Sequence, residues 1–413
     1  MNVNIKGKSE KIKVLKDGSV TSPMGFHAGG LFCGLRKKRL DIGWLMSEVP
    51  AAAAGVFTVN QFQAAPLLVT QESLNEQGIL QGIIVNSGNA NACTGLKGLE
   101  DAYEMRSLFA GKMAIPEYTA AVVSTGVIGV PLPMEKIFDG IHAIPSTPMQ
   151  WNVNDFELAI LTTDTCTKHA AAELIIDGKK VHIGGAAKGS GMIHPNMATM
   201  LGFVTTDANI DKATLKKALS QAVNKTFNQI TVDGDTSTND MVLILANGLA
   251  ENQLLSPSHP EWDIFMEGLE EICKELAKKI ARDGEGATKL IEVIVKGAQS
   301  EEAAKVIGKS VVGSSLVKSA IFGKDANWGR IICAAGYGGI PLELEKIVLH
   351  LGPYEIVSNG QSSPFSEEEV KAYLEKNESI QIQLDVGDGS GESVSWGCDL
   401  TYDYVRINAS YRT

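Results

Sequence analysis

The sequence predicts a fold of mixed α and β structure, and two alternating patterns support this class. Short apolar runs of strand length recur along the chain, and many of its 42 glycines lie in polar clusters at the ends of these runs. Such clusters are typical of strands that lead into loops. Between them lie longer segments whose apolar residues recur every three or four positions, as on one face of an amphipathic helix. We therefore expect helices that alternate with strands.

The predicted strands follow from the apolar runs. One leads into the polar residues 86–91, and another ends at Ser124, Thr125 and Gly126. Asp177-Gly178 separates two further runs, and this dipeptide favours a two-residue hairpin turn. We predict strands over residues 82–85, 120–123, 172–176, 181–183 and 290–295, and further strands joined by Gly387-Asp388-Gly389 after about residue 380.

Two helices are predicted clearly. Asp211 is suited to cap the first, because its side chain can accept hydrogen bonds from N–H groups of the first turn. The second runs from about Trp262 to Arg282, and Asp283-Gly284 ends it. The apolar faces are Leu215, Ala218, Leu219, Ala222 and Val223 in the first helix, and Phe265, Leu269, Ile272, Leu276 and Ile280 in the second.

Composition and charge argue against several classes of function. The chain has 413 residues, 44% of them hydrophobic and 21% charged, with a net charge of -11. Such an acidic chain lacks the basic surface that nucleic acids and anionic membranes require of a partner. We find no apolar leader and no run of eighteen apolar residues, so we expect neither a secretory signal nor a membrane span. The six cysteines form no CxxC pair, which predicts reduced thiols and a cytoplasmic location.

Four familiar motifs fail when their residues are checked. Lys188 precedes Gly189, whereas a phosphate-binding loop needs the opposite order. Residues 233–244 begin like a calcium-binding loop, but Thr238 and Ile244 stand where glycine and glutamate are required. The seven histidines form no metal-binding pattern, and no GxSxG sequence marks a serine hydrolase. We therefore predict no metal site.

Residues 188–201 (KGSGMIHPNMATML) carry more distinctive chemistry. An ordinary glycine-rich turn is the simpler interpretation, and composition alone does not exclude it. Thr199 follows a small residue, however, and its hydroxyl can attack the preceding carbonyl. Hydrolysis of the resulting ester leaves Thr199 as a new N-terminus. Its α-amine, with a pKa of about 7.7–8.0, is then a usable general base beside the hydroxyl.

This segment resembles the self-cleavage motif of the ornithine acetyltransferase family, the glutamate N-acetyltransferase/ornithine N-acetyltransferase enzymes of arginine biosynthesis. Seven further motifs resemble the family in the same order, so the resemblance covers nearly the whole chain. Ala326 stands where many members have proline, which affects a turn and no chemistry. The seven motifs are residues 86–95 (NSGNANACTG), 124–129 (STGVIG), 162–165 (TTDT), 232–240 (VDGDTSTND), 281–289 (ARDGEGATK), 325–330 (DANWGR) and 404–413 (YVRINASYRT).

The resemblance implies three catalytic residues and a cleavage site. Thr199 is the implied nucleophile, and the peptide bond between Ala198 and Thr199 is the implied cleavage site. Thr125 and Gly126 match the oxyanion hole, in which each donor lowers the barrier by roughly 2.7–4 kcal/mol. Without the family, an ordinary turn at the end of a strand is the better interpretation of Thr125.

The resemblance also implies six substrate-binding residues. Lys188 supplies a positive charge, which either keeps the nucleophilic amine neutral or contacts the substrate. Glu285 is suited to pair with the ammonium of ornithine, although alone it is more simply a solvated loop carboxylate. A terminal strand folding back over the site would bring in the C-terminal residues, which alone look like a frayed end. The six are Thr162, Lys188, Thr199, Glu285, Asn408 and Thr413.

The reaction implied by the resemblance is a ping-pong transfer. Thr199 takes acetyl from N-acetylornithine, ornithine leaves, and glutamate accepts the acetyl group from the acetyl-threonine ester. Some members also use acetyl-CoA as a donor, and we favour this bifunctional form. No metal or redox cofactor is implied. The expected partners are these small molecules, with no nucleic acid and no membrane.

The fold implied by the family is a self-cleaving αββα sandwich of the N-terminal-nucleophile type, related to the aminopeptidase/esterase enzymes. Cleavage would give an α chain of residues 1–198 and a β chain of residues 199–413. A smaller C-terminal α/β part is expected from about residue 287 to residue 413. The two chains are expected to stay associated, as a heterotetramer of two α and two β chains.

Two other functions stay open at this point. A self-processing amidase or aminopeptidase would pass the acyl group to water, and no residue pattern separates it from a transferase. A non-catalytic α/β protein that binds an amino acid would leave Thr199 as an ordinary loop residue. Acetate release tests the first alternative, and an uncut chain of 44.0 kDa would favour the second.

Overall fold

The structure, a computed structural model, describes residues 11–194 and 200–410. Its strands form two separate sheets. The strands of the larger sheet are β1 (Ile12–Leu15), β2 (Phe26–Leu31), β3 (Ile42–Phe57), β4 (Ile79–Asn89), β5 (Ala120–Val127), β6 (Lys168–Ile176), β7 (Lys179–Lys188), β8 (Leu201–Thr206) and β9 (Met241–Ala246). Those of the smaller sheet are β10 (Leu290–Ala298), β11 (Val348–Leu351), β12 (Tyr354–Ser358), β13 (Gln361–Ser362), β14 (Ser379–Asp385) and β15 (Gly391–Cys398).

Helices separate and follow these strands. Those that accompany the larger sheet are α1 (Ala65–Gln77), α2 (Gly95–Met113), α3 (Met134–His142), α4 (Val153–Ala159), α5 (Lys212–Lys225) and α6 (Trp262–Arg282). Those that accompany the smaller sheet are α7 (Glu301–Gly313), α8 (Ser315–Phe322), α9 (Trp328–Gly336) and α10 (Glu367–Lys376), and α11 (Tyr402–Ser410) ends the described chain. No helix in the described parts of the chain is long and apolar enough to span a membrane.

The larger sheet has the strand order β1-β6-β7-β8-β9-β3-β4-β5, and β2 pairs with β3. Its two ends face each other, because one cluster of buried side chains joins β7, β8 and β9 to β3, β4 and β5. At its centre the Phe156 and Phe203 rings pack edge to face, with centroids 5.4 Å apart. Buried apolar side chains drive this arrangement, since each removes its surface from water.

Helices cover the outer faces of both ends of this sheet. A second buried cluster packs α5 and α6 onto β6 to β9, and a third packs α2 and α3 onto β4 and β5. The order of layers is therefore helix, sheet, sheet, helix. The αββα architecture expected from the sequence is confirmed.

The two halves of the chain, before and after the expected cleavage site, both contribute strands to this sheet. Strands β1 to β7 precede residue 195, whereas β8 and β9 follow residue 199. In the sheet, β8 pairs with β7 and β9 pairs with β3. Two strands from the second half of the chain thus lie between strands of the first half.

The smaller sheet has the order β13-β12-β11-β14-β10-β15 and is covered by α7, which packs on β10 and β15. The strands predicted around Gly387-Asp388-Gly389 exist as β14 and β15, but they do not pair with each other. Strand β10 lies between them, parallel to β14 and antiparallel to β15. The link between them therefore crosses over β10, and it is not a hairpin.

Most local predictions are confirmed. Helix α6 has the predicted bounds, and the Asp211 side chain caps α5 by accepting from two backbone N–H groups. The turn between β6 and β7 has positive φ at Asp177 (51°) and Gly178 (72°), as the two-residue hairpin requires. All six cysteines are free thiols.

One predicted strand end was wrong in a way that affects the site. Strand β5 does not end before Thr125 but continues to Val127. The reason is that β4 pairs with it in parallel along this length, with Ser87 opposite Thr125 and Gly88 opposite Gly126. Thr125 and Gly126 therefore belong to a strand of a buried sheet.

Candidate active site

A cavity of about 250 Å³ brings together six of the residues singled out in the sequence. They come from β5, β7, the loops that follow α4 and α6, and the terminal helix α11. Ala198, Thr199 and Thr413 lie outside the described residues. The six residues that line the cavity are Thr125, Gly126, Thr162, Lys188, Glu285 and Asn408.

The backbone conformation at position 126 requires glycine. Its φ is 134°, a conformation that residues with a side chain rarely adopt. A Cβ atom there would lie 2.3 Å from the backbone carbon of Gly88 on β4. The amide of Asn239 stabilises the same region, because its Nδ2 donates to the carbonyl oxygens of Ala90 and Ser124. Thr125 and Gly126 are therefore held rigidly at the cavity wall.

Lys188 ends β7 and is the cation of this cavity, with 8% of its surface exposed. Its Nζ donates to Oγ1 of Thr162 at 2.7 Å and to Oγ1 of Thr125 at 3.4 Å. Because the Thr125 oxygen accepts from the lysine, its O–H can donate to a different group in the cavity. Burial lowers the pKa of Lys188, while the carboxylate of Asp164, 3.9 Å away, opposes this shift.

A buried ion cluster lies next to Lys188. The Nζ of Lys168 donates to Asp164 at 2.7 Å and to Asp283 at 2.6 Å. Burial alone would raise the pKa of Asp164, but the charges of Lys188 and Lys168 outweigh it and hold that pKa below its usual value. We name Asp164, Lys168 and Asp283 the buried ion cluster.

The buried ion cluster connects three segments of the site. Asp164 accepts hydrogen bonds from the backbone N–H groups of Thr162 (3.0 Å) and Gly189 (2.7 Å), and so holds the residues around Lys188. The carbonyl of Asp283 accepts from the Ser190 hydroxyl at 2.7 Å, and the Ser190 carbonyl accepts from the N–H of Glu285. The positions of Thr162, Lys188 and Glu285 therefore depend on one another.

Glu285 and Asn408 form a polar pair on the other side of the cavity. Glu285 is 6% exposed, and one of its oxygens accepts from Nδ2 of Asn408 at 2.7 Å. A Cβ atom at Gly191 would lie 2.4 Å from the Glu285 carboxyl carbon, so glycine there leaves room for the carboxylate. The prediction of a terminal strand around Asn408 was wrong. This segment is helix α11, which brings Asn408 to Glu285 from its last turns.

Both flanks of residues 195–199 are tied to one segment, residues 231–241. Asp233 accepts from the N–H groups of Met192 (2.6 Å) and Ile193 (2.8 Å). On the other flank, the N–H of Met241 donates to the carbonyl of Met200 at 3.0 Å. Ile193 and Met200 both line the cavity. Described residues that precede and follow residues 195–199 therefore both lie at the site.

Several residues of the site were missed in the sequence. Asp164, Asp283, Asn239 and Asp240 all lie in the motifs quoted for the family, but no pattern indicated what they contact. Lys168 lies in no motif at all. Among residues 11–194 and 200–410, no three His, Cys, Asp or Glu side chains converge so that they could hold a metal ion.

The fold and the site together define a class of protein. It is a four-layered α/β protein whose cavity is lined by threonine hydroxyls, the backbone of Gly126, one lysine and several carboxylates. Such a set suits transfer of an acyl group to or from an amino acid.

The comparisons with known proteins agree with this class. Residues 27–413 match the ArgJ family. The arginine biosynthesis bifunctional protein ArgJ of Oceanobacillus iheyensis is 56% identical over 404 residues, which cover 98% of each chain. The protein of the same name from Bacillus subtilis is 55% identical over 405 residues, covering 98% of this chain and 99% of its own.

A solved structure is also similar. The crystal structure of the arginine biosynthesis bifunctional protein argJ from Bacillus halodurans is 56% identical, with a TM-score of 0.50. The matched region covers 51% of this chain and 98% of the solved chain. This chain belongs to the ArgJ family, so the resemblance found in its motifs is confirmed.

Proposed function

We propose that this protein is an acetyltransferase of arginine biosynthesis that moves an acetyl group from N-acetylornithine to glutamate through an ester on Thr199. One observation carries the proposal. In a member of the ArgJ family, one cavity collects Thr125, Gly126, Lys188 and Glu285 together with Ile193 and Met200, the described residues on either side of the candidate nucleophile.

The first proposed step is self-cleavage. The Thr199 hydroxyl attacks the carbonyl of Ala198, the C–N bond breaks as the ester forms, and water then hydrolyses the ester. The products are a carboxylate on Ala198 and a free amine on Thr199. The N–H of Gly126 and the hydroxyl of Thr125 are suited to stabilise the oxyanion, because a preorganised donor needs no rearrangement when the charge develops.

The length of the solved relative supports cleavage. The Bacillus halodurans chain matches over 98% of its own length but spans only 51% of this chain. A fragment of residues 199–413 would likewise be about half of the 413 residues. A solved chain of this length is expected if the relative was studied as one of two cleavage products.

Transfer follows in two half-reactions. The Thr199 amine accepts the hydroxyl proton as the oxygen attacks the acetyl carbonyl of N-acetylornithine, and the same proton leaves with the ornithine amine. The amine of glutamate then attacks the acetyl ester and frees the Thr199 hydroxyl. One oxyanion site serves both half-reactions, since each passes through a tetrahedral intermediate at the same carbon.

Charge in the cavity favours the proposed donor. Glu285, Asp233 and Asp235 line the cavity beside Asn408, and carboxylates suit the ammonium group of an ornithine side chain. Lys188 provides the opposite charge on the far wall, where it either contacts a substrate carboxylate or keeps the Thr199 amine neutral. We therefore place the ornithine side chain towards Glu285.

The two cleavage products are proposed to stay together. Strands β8 and β9 of the second product would remain hydrogen bonded to β7 and β3 of the first. The buried clusters between the layers also draw side chains from both halves of the chain. We further propose two copies of each product per molecule, which light scattering on the purified protein would measure.

The proposal is tested by intact mass analysis before and after incubation with N-acetylornithine. We expect two chains, corresponding to residues 1–198 and 199–413, and an acetyl adduct on the N-terminal peptide of the second. Thr199→Ala should stay uncut and inactive, because it lacks the hydroxyl. Thr199→Ser, which keeps a hydroxyl, is the matched control and should still be cut and acetylated.

Two results would contradict the proposal. Active enzyme whose residues 198 and 199 are still joined would exclude the amine as base. Production of N-acetylglutamate by Thr199→Ala would exclude Thr199 as nucleophile.

Two assays refine the proposed activity. Acetate release that outpaces acetyl transfer to glutamate would favour a self-processing amidase. Acetylation of glutamate by acetyl-CoA, without N-acetylornithine, would establish the bifunctional form that we favour.

A further inference from the structure

Tyr404 lies on helix α11 and lines the cavity, but the reaction proposed above assigns it no role. Its side chain forms a hydrogen bond with the Asp233 carboxylate. One helical turn further on, Nδ2 of Asn408 donates to the Glu285 carboxylate at 2.7 Å. Residues four apart lie on the same face of a helix. Helix α11 therefore presents one face to the acidic side of the cavity.

The phenol of Tyr404 lies close to the carboxylates of the cavity. Burial raises the pKa of Tyr404, and so do the charges of three carboxylates. They belong to Asp233, Glu285 and Asp235, which all line the cavity. The hydroxyl therefore stays protonated at neutral pH and donates to Asp233. Because the hydroxyl already has this partner, the bulk of the ring is what Tyr404 offers to a bound substrate.

Backbone contacts fix Tyr404 relative to Glu285. A Cβ atom at Gly286 would lie 2.7 Å from the backbone nitrogen of Tyr404, so glycine there, with a φ of 71°, permits the close approach of α11. The Thr401 hydroxyl, just before α11, donates to the carbonyl of Gly286 at 2.8 Å. Nδ2 of Asn408 donates to the Tyr404 carbonyl at 3.0 Å as well as to Glu285. The ring cannot move away from the Glu285 carboxylate without loss of these contacts.

We propose that the Tyr404 ring is the end wall of the acidic side of the cavity, and that it determines which length of cationic side chain is accepted in the acetyl donor. The inference rests on the proposed function, in which the ornithine side chain points towards Glu285. A side chain that is one methylene longer would place its ammonium group where the ring stands. The ring therefore excludes the longer donor by its volume.

A comparison of two donors tests the proposal. They are N-acetylornithine and lysine acetylated on its α-nitrogen, which is one methylene longer. We expect kcat/KM of the unmodified enzyme to favour N-acetylornithine about 10- to 200-fold, the usual worth of one methylene in a shaped pocket. Tyr404→Ala removes the wall and should lower this ratio about fivefold or more. Tyr404→Phe keeps the ring and should leave the ratio within about twofold of its original value.

Tyr402→Ala is the matched control. Tyr402 is also a tyrosine of α11, but 76% of its surface is exposed and it does not line the cavity. Its replacement removes a ring contact with Phe322 and should leave the ratio unchanged. A general loosening of α11 would alter this variant and Tyr404→Ala alike. The comparison therefore separates the end wall from the stability of the helix.

Each outcome has a distinct meaning. A Tyr404→Ala enzyme with the ratio of the unmodified enzyme overturns the inference. A Tyr404→Phe enzyme whose ratio falls as far as that of Tyr404→Ala also overturns it, because the hydroxyl would then decide the selectivity. If the unmodified protein transfers no acetyl group from N-acetylornithine, the proposed function itself fails. The two failures are distinguishable, since the first leaves acetyl transfer intact.

A second measurement does not depend on turnover. Calorimetric titration with ornithine and with lysine gives the ratio of their dissociation constants for each protein, after circular dichroism has shown that the protein is folded. Tyr404→Leu joins Tyr404→Ala here, because leucine is also shorter than tyrosine. We expect both variants to bind lysine, relative to ornithine, about fivefold or more tighter than the unmodified protein does. Equal ratios in the three proteins would refute the proposal.

Discussion

Replacement of Lys168 by methionine tests the account of the buried ion cluster. The Lys168 side chain is completely buried, and its Nζ bonds Asp164 and Asp283 at 2.7 and 2.6 Å. Methionine fills a similar volume but leaves two buried carboxylates without their shared cation. Removal of one partner from a buried ion pair typically costs about 3–5 kcal/mol, because the remaining charge is neither paired nor solvated.

The size of this effect can be converted to a melting temperature. The entropy of unfolding is roughly 2.1 cal/mol/K per residue, or about 0.9 kcal/mol/K for this chain when it unfolds as one unit. A loss of about 3–5 kcal/mol therefore lowers the melting temperature by about 3–6 °C. Circular dichroism of the purified protein, heated at pH 7, would measure it.

Two comparisons make the test specific. Lys217→Met changes an exposed lysine on α5 and should leave the melting temperature within about 1 °C. Adding Asp164→Asn and Asp283→Asn to Lys168→Met removes the unpaired charges and should restore part of the loss. If Lys168→Met melts at the same temperature as the unmodified protein, the cluster does not have the energetic role that its burial indicates.

Three further predictions concern the cavity and its surroundings. Thr125→Val should lower kcat by about 100- to 1000-fold with little change in melting temperature, since it removes one oxyanion donor of roughly 2.7–4 kcal/mol; an unchanged kcat would remove Thr125 from the oxyanion site. Glu285→Gln should raise KM for N-acetylornithine about 10- to 100-fold, the worth of a hydrogen bond to a charged group, and leave KM for glutamate nearly unchanged; equal effects on both would argue against a pair with the ornithine ammonium. Burial lowers the pKa of His194 to about 4. Between about pH 6.5 and about pH 4, His194 is therefore protonated in the unfolded chain but neutral in the folded chain. The free energy of unfolding should therefore decrease as pH falls between these values, and urea titrations of His194→Gln should show a smaller decrease.

The parts of the fold that were predictable from sequence depend on local patterns. Helix α6 was found with its bounds because its apolar residues recur at helical spacing over 21 residues. The turn at Asp177 and Gly178 was found because both residues tolerate positive φ. In each case neighbouring residues alone decide the structure.

One error and several omissions arose where local patterns are weak or distant segments decide the structure. Sequence does not show that β10 lies between β14 and β15, because 80 or more residues separate β10 from both in the chain. Asn408 was expected on a strand, but the period of α11 is weak and none of its residues is buried. The buried ion cluster was missed because its members are far apart in the chain: Asp283 is 115 residues from Lys168. Charged residues so far apart give no signal of contact in a single sequence.

The insertion of β8 and β9 between β7 and β3 has a consequence for how activity arises. The proposed scissile bond precedes β8 in the sequence, so the described residues on its two sides come together only once strands from both halves of the chain have assembled. A misfolded molecule would lack the wall formed by Lys188, Met200 and Asp240, and would keep its backbone intact. Under the proposed mechanism, self-cleavage would then occur only in correctly assembled molecules. Each half produced alone, without the strands of the other, would have neither a complete sheet nor a means of becoming active.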